Sequence, residues 1–215
     1  MKGNIKKLVV FVSMAAIAML VTAMASADDH AGKKAIRGKY ASTGSGSTFL
    51  APLGFTNLIP NGPPGAYIFQ AFSGEGVYIF ERDGTGSFEG INHIGTLSFV
   101  SPNPTPPPPT ITNPSSAGAQ HVSFLFHYTM TDDGKITITA DPGTQNNEWI
   151  SGPSTGKIYH LDGLSRTGFI TPDHKTITLT GGAPSVLSFI APFGDLPPTA
   201  QLINNASSVL IWQHD

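Results

Sequence analysis

From His121 to Met130 the chain reads HVSFLFHYTM. Val122, Phe124, Phe126, Tyr128 and Met130 fall on one parity, and His121, Ser123, Leu125, His127 and Thr129 on the other. Apolar residues recurring at period two mark a strand with one buried and one wet face. The same alternation returns along the chain, while the 3.6-residue period of an amphipathic helix is not sustained anywhere beyond residue 35. The pattern predicts strands near 36–43, 65–72, 75–82, 85–100, 120–131, 135–141, 156–171 and 175–190, with a last one at 207–214.

Turn chemistry fixes how these strands pair. A loop of Asp132-Asp133-Gly134 sets Met130 opposite Ile136, Tyr128 opposite Ile138 and Phe126 opposite Ala140, whereas a two-residue loop would mix the two faces. Three-residue loops carry a type I turn followed by a left-handed residue, a place glycine fills without steric cost. The stretch GVYIFERDGTGSFEG obeys the same rule, with a loop of Arg82-Asp83-Gly84 placing Tyr78 opposite Phe88 and Phe80 opposite Gly86, where the ring covers bare backbone. Its glycines are spaced G-x-G-x-x-x-G and lead into a β-branched segment, so they form a turn and not a dinucleotide loop. In GFITPDHKTITLT a loop of Pro172-Asp173-His174 predicts Phe169 against Ile177 and Thr167 against Leu179, with His174 in the left-handed position.

Proline ends strands in FLAP, FVSP and FIAP, at Pro52, Pro102 and Pro192. The proline-rich segment 101–119 reads as a long exposed loop of extended geometry, and LGFTNLIPNGPPGA and GDLPPTAQLINNA as further loops. Residues 36–215 then make a single β-domain, preceded by a polar stretch at 28–35. The first 27 residues follow the plan of a secretory signal: Lys2, Lys6 and Lys7, an apolar core, and Ala25-Ser26-Ala27 as the cleavage site. The expected product is exported, secreted or periplasmic, with no membrane span after cleavage.

Composition narrows the classes. Without Lys2, Lys6 and Lys7, nine basic residues face 14 acidic ones, a balance of about −5 that argues against a nucleic-acid partner. Cysteine is absent, so packing rather than disulfides must hold an exported fold together. Low charge with abundant Gly, Pro, Ser and Thr is the profile of an all-β protein.

Candidate chemistry is sparse. His121 and His127 share a strand face, but six residues at about 3.3 Å each put them roughly 20 Å apart, too far for one ion, and no metal site or cofactor is expected. TGSGST at 43–48 lacks the strand and helix of a nucleophile elbow, and Asp132-Asp133 is explained by its turn. No catalytic residue is assigned. LPPTA at 196–200 lacks the features of a wall-anchoring signal, and Asn205-Ala206-Ser207 is an N-glycosylation sequon.

Ile36-Arg37-Gly38-Lys39-Tyr40, at the start of the first strand, carries a G-x-aromatic motif. Followed by successive hairpins, it resembles the calycin group of exported barrels, lipocalins especially. Tyr40 stands where lipocalins carry tryptophan, and the arginine expected near the last strands has no counterpart after Arg166. The resemblance implies an eight-stranded antiparallel barrel whose interior holds one small apolar ligand. A closed or nearly closed meander barrel is therefore the expected fold, with a two-sheet sandwich as the alternative. A small-molecule-binding module is the expected function, with Tyr78, Phe80, Phe124, Phe126 and Tyr128 as the candidate ligand-facing residues. Plain core packing is the other reading of those rings. A barrel enzyme of isomerase or cyclase type, or a surface-interaction protein, are the alternative functions.

Overall fold

A computed structural model describes residues 36–62, 67–97, 116–180, 184–190 and 196–214. The expected signal at 1–27, the stretch at 28–35 and residues 101–115 of the proline-rich loop lie outside the described residues. The described chain is all strand and turn: β1 (Gly38–Ala51), β2 (Phe55–Thr56), β3 (Ile59–Pro60), β4 (Ile68–Phe80), β5 (Thr85–Leu97), β6 (Ser116–Met130), β7 (Lys135–Ala140), β8 (Gln145–Ser151), β9 (Ile158–Asp162), β10 (Ser165–Ile170), β11 (Thr176–Thr180), β12 (Ser185–Ile190) and β13 (Gln201–Trp212). Among the described residues no helix is long and apolar enough to cross a membrane.

Apart from the small β2–β3 hairpin, the strands form one antiparallel meander that returns on itself, because β13 pairs with β1 from Tyr40↔Trp212 to Ala51↔Gln201. That pairing sets aside the sandwich and makes an eight-strand ring, β1-β4-β5-β6-β7-β10-β11-β13. The ring is not evenly closed. Three of its strand courses are interrupted, between β7 and β8, between β9 and β10, and between β11 and β12. The long strands β6 and β13 span both sides of the break: β6 pairs with β7 through Phe126–Met130 and with β8 through Ala119–Ser123. β13 likewise pairs with β11 through Ser207–Ile211 and with β12 through Gln201–Asn204. The barrel thus has two tiers, one walled by β7, β10 and β11 and the other by β8, β9 and β12.

The first tier is solid. Phe80 is its hub, making edge-to-face contacts with Tyr40, Phe126 and Tyr128 at centroid distances of 5.3, 5.3 and 5.2 Å. Such pairs contribute about 0.5–1.5 kcal/mol each beyond the burial of their area. Ile136, Ile177, Leu179 and Leu210 complete this core and are fully buried. Two tyrosines tie its end down. The Tyr128 hydroxyl donates to the carbonyl oxygens of Ile36 and Glu81, each 2.8 Å away, and the Tyr40 hydroxyl donates to the carbonyl of His174 at 2.6 Å. The aromatic of the G-x-aromatic motif therefore sits inside the barrel at its closed end, held to the β10–β11 turn.

The alternation in HVSFLFHYTM is realised: Val122, Phe124, Phe126 and Tyr128 are buried and Leu125 is exposed. Two of the three expected hairpin registers are met, Met130↔Ile136 with Tyr128↔Ile138 and Tyr78↔Phe88 with Phe80↔Gly86. Gly84 and Gly134 take positive φ of 89° and 81° in their turns. The ring that covers Gly86 is Phe126 rather than Phe80, since a Cβ there would lie 2.3 Å from the Phe126 ring.

The third hairpin is one residue longer than expected. Thr171 N–H bonds the carbonyl of Thr176, and the register is Ile170↔Ile177 and Phe169↔Thr178. Burial decides it: this pairing puts Ile170 and Ile177 together inside and leaves Phe169 outside, 58% exposed. His174 nevertheless takes the left-handed conformation, at φ 57°. The loops share one clamp, in which Asp83, Asp133 and Asp173 accept hydrogen bonds from the hydroxyls of Thr85, Thr131 and Thr171. Those bonds hold the three carboxyls below the usual carboxylate range.

Other boundaries move. The strands expected at 65–72 and 75–82 are one strand, β4, because Gly74 and Gly76 stay extended and pair with Gly44 and Gly90 instead of turning. The segment 156–171 is broken at Gly163, whose φ is 97°. The one expected at 175–190 is likewise divided into β11 and β12. Residues 116–119 belong to β6 and not to the proline-rich loop, residues 201–206 belong to β13, and LGFTNLIPNGPPGA contains the β2–β3 hairpin. β8 was not expected at all.

Gly134→Val should destabilise the fold by at least about 1 kcal/mol, because a β-branched residue fits positive φ poorly and its Cβ would meet the Ile170 carbonyl oxygen at 3.1 Å. Thr137→Val, on the outer face of β7, should be nearly neutral. Urea titrations of both variants check the difference. Burial raises the phenols of Tyr40 and Tyr128 to about 12 from an ordinary value of 10.0. A tyrosine that ionises more easily unfolded than folded stabilises fully below the unfolded value and loses that contribution as pH rises toward the folded one. Thermal stability should therefore fall between about pH 10 and 12, and Tyr40→Phe should make the fall shallower, as melting curves across that range would show.

Candidate functional site

The second tier is hollow. Inward positions that carry large rings in the first tier carry glycine or polar groups here: Gly44 and Gly46 on β1, Gly74 and Gly76 on β4, Gly90 and Asn92 on β5. The result is a cavity of about 610 Å³, within the range of pockets that enclose small organic ligands. The bare glycine wall is closely fitted. A Cβ on Gly76 or Gly90 would lie 2.8 or 2.7 Å from the Phe88 ring, and one on Gly46 would lie 2.7 Å from Phe72. The rings lie flat on glycine backbone and leave the space beyond them empty.

Two polar ladders run across neighbouring parts of the wall. On β1, β4 and β5, the Thr48 hydroxyl donates to Gln70 Oε1 at 3.2 Å, and Gln70 Nε2 donates to the Thr96 hydroxyl at 3.3 Å. On β6 and β8, Asn147 Nδ2 donates to Gln120 Oε1 at 3.3 Å, and Gln145 Nε2 donates to Asn147 Oδ1 at 3.4 Å. These bonds satisfy part of what burial demands. Gln145 Oε1 and Asn204 Oδ1, from residues that border the cavity, are buried without a hydrogen-bond partner among the described residues. Between the ladders the lining is apolar, with Phe88 and Phe124 stacked at 5.0 Å on one side and Tyr159 against Phe189 at 5.7 Å on another.

Where the cavity meets the solid tier, one charged side chain enters it. Arg166 on β10 donates from Nη1 to the Ser208 hydroxyl at 3.3 Å and stands beside Tyr78. The Tyr78 phenol is pushed up by burial, with the Arg166 charge opposing that shift in part. No described residue hydrogen-bonds the Tyr78 hydroxyl, and no described carboxylate forms an ion pair with Arg166.

Of the five candidate residues, Tyr78 and Phe124 border the cavity, while Phe80, Phe126 and Tyr128 lie in the packed tier beside it. The polar residues of the cavity were not singled out from the sequence. One signal was present: Arg166 shares parity with Leu164, Gly168 and Ile170, which places it inward. Among the described residues no three histidines or carboxylates group as a metal site. His121 instead contacts Glu89 at 3.1 Å and His127 contacts Asp141 at 2.9 Å, on the outer face of β6. No protein-family model matches the chain, and no curated protein matches it.

The hydroxyls of Tyr78 and Tyr128 should differ in worth. Tyr78→Phe removes no hydrogen bond among the described residues and should change stability by less than about 0.5 kcal/mol, whereas Tyr128→Phe takes the tyrosine donor from the Ile36 carbonyl and leaves that of Glu81 with the Gly84 N–H alone, and should cost about 1–2 kcal/mol. Chemical denaturation of the two variants checks this, and equal losses would contradict it.

Proposed function

We propose that the chain is an exported barrel protein that binds one small, largely apolar molecule in the hollow tier. The cavity carries this reading. A void of about 610 Å³ lined by rings and aliphatic side chains forfeits packing that the same length of chain achieves in the solid tier. A ligand restores those contacts. Export is supported by the basic residues, apolar run and Ala25-Ser26-Ala27 of the first 27 residues. The polar ladders suit a ligand with one hydrogen-bonding end, and the aromatic and aliphatic walls suit its body. The G-x-aromatic resemblance points the same way, toward carriage rather than turnover.

The neutral probe N-phenyl-1-naphthylamine should bind with one-to-one stoichiometry and take up energy from Trp149, which borders the cavity. Trp149→Phe should remove most of that transfer while leaving binding intact. Val122→Trp, which directs an indole into the same space, should weaken the probe by at least about tenfold while the β-sheet circular dichroism is kept. Absence of saturable binding to the unsubstituted protein would overturn the proposal and move attention to the barrel's outer surface.

A further inference from the structure

We infer that the ligand is an amphipathic organic acid, whose carboxylate docks on Arg166 at the floor of the cavity while its apolar body lies between the aromatic walls. This rests on the cavity being a ligand site. It goes further by naming the chemical class.

Arg166 borders a cavity walled mainly by rings, aliphatic groups, amides and hydroxyls, and its backbone pairs with Ile138 of the packed core. Two other charged residues touch the cavity boundary. Glu75 is on the outward parity of β4 and exposed, and Lys157 sits in the β8–β9 connection. Glu75, the acidic one of the two, forms no ion pair with the guanidinium among the described residues. Arg166 is half-buried, and a cation partly withdrawn from water gains from a counter-charge that the described residues do not supply. Among the described residues its hydrogen-bond partner is Ser208, which leaves further donors of the planar fork for a ligand.

The groups around it are donors as well. The Tyr78 hydroxyl has no hydrogen-bond partner among the described residues, and burial pushes the phenol up so that it stays protonated through neutral pH. Ser208 offers a hydroxyl at the other side. A guanidinium and a neighbouring phenol that both donate, with no acceptor of opposite charge among the described residues, match a planar, singly charged acceptor with two oxygens. One guanidinium balances one negative charge, which favours a monocarboxylate over a dianion.

The interior then grades from charge to apolar surface. Tyr78 lies 4.6 Å from Phe88 and 6.2 Å from Phe124 between ring centroids, so the acid end adjoins the stacked pair directly. An acid bound there extends its body along Phe88 and Phe124 toward Leu187 and Phe189.

The test compares 11-(dansylamino)undecanoic acid with its methyl ester, which keeps the body and removes the charge. The purified protein should bind the acid at least about tenfold more tightly than the ester at neutral pH. Arg166→Met should erase that preference by weakening the acid while leaving the ester within about twofold. Arg166→Gln, which keeps hydrogen bonding without charge, is the second variant, and the acid-to-ester ratio of the unsubstituted protein needs no substitution at all. Affinity for the acid should also fall as pH drops through the carboxyl's titration, and that for the ester should not. Equal binding of acid and ester, or a preference that survives in both variants, would overturn the role of Arg166 while the cavity reading stands. Failure of the acid, the ester and the neutral naphthylamine alike would overturn the cavity reading and this inference with it.

Discussion

Everything in this barrel depends on the antiparallel ladder that joins the first strand of the described domain to its last. Without the pairing of Tyr40 through Ala51 with Gln201 through Trp212, β1 and β13 would be edges with long rows of unpaired backbone groups. The seam tolerates little bulk. A Cβ on Gly44 would lie 2.5 Å from the Ser207 carbonyl oxygen, and one on Gly46 2.5 Å from that of Asn205. The glycines that allow β1 to coil tightly against β13 are also the ones that leave the cavity wall bare. Closure and hollowness have one cause.

The interior divides along the chain direction into a filled and an unfilled half. In the filled half Phe80 gathers the rings of Tyr40, Phe126 and Tyr128, and Ile36 and the two tyrosine hydroxyls close the end. In the other half the same strands present Gly74, Gln70, Asn92 and Gln120 at inward positions. The changes of strand in three neighbouring courses fall between the halves, from β7 to β8, from β9 to β10 and from β11 to β12. Asp162 bridges part of that line by accepting from the Gly143 N–H at 2.6 Å, and the Ala140 N–H bonds the Leu164 carbonyl at 2.9 Å. The wall thus stays hydrogen-bonded where its strands change course.

This division also explains what could be read from sequence alone. Period-two reasoning works where one strand face is apolar and the other wet, and in the filled half it identifies β7, the end of β6 and two hairpin registers. It fails most often where the inward face is polar or absent. β8 turns Gln145, Asn147 and Trp149 toward the cavity, and QNNEWIS shows no hydrophobic alternation. The start of β13 turns Asn204 inward and was read as loop. β4 was split at SGEG because two glycines with extended backbone resemble a turn in sequence. The one-residue error in the β10–β11 hairpin arose because proline and histidine suited a three-residue loop locally, and only the burial of Ile170 and Ile177 selects the longer one. Missed strands and misread boundaries gather around the cavity, so the failure of the hydrophobic pattern is itself a trace of the site.

The energetic logic of the two halves is complementary. A cavity of this size and two amide oxygens without a partner among the described residues are each destabilising, and a chain without disulfides has no covalent means of offsetting them. The offset comes from the filled half, where aromatic packing is dense and the end is fastened by tyrosine hydroxyls, and from ring closure, which leaves the main barrel without an edge. Stability is concentrated in one tier, so the other is free to hold half-buried polar groups around a cavity. A ligand with an apolar body and an acid end would supply what the second tier lacks: atoms in the void, a counter-charge at Arg166 and an acceptor for Tyr78. The same residues that lower the stability of the empty barrel are the ones that define what should fill it.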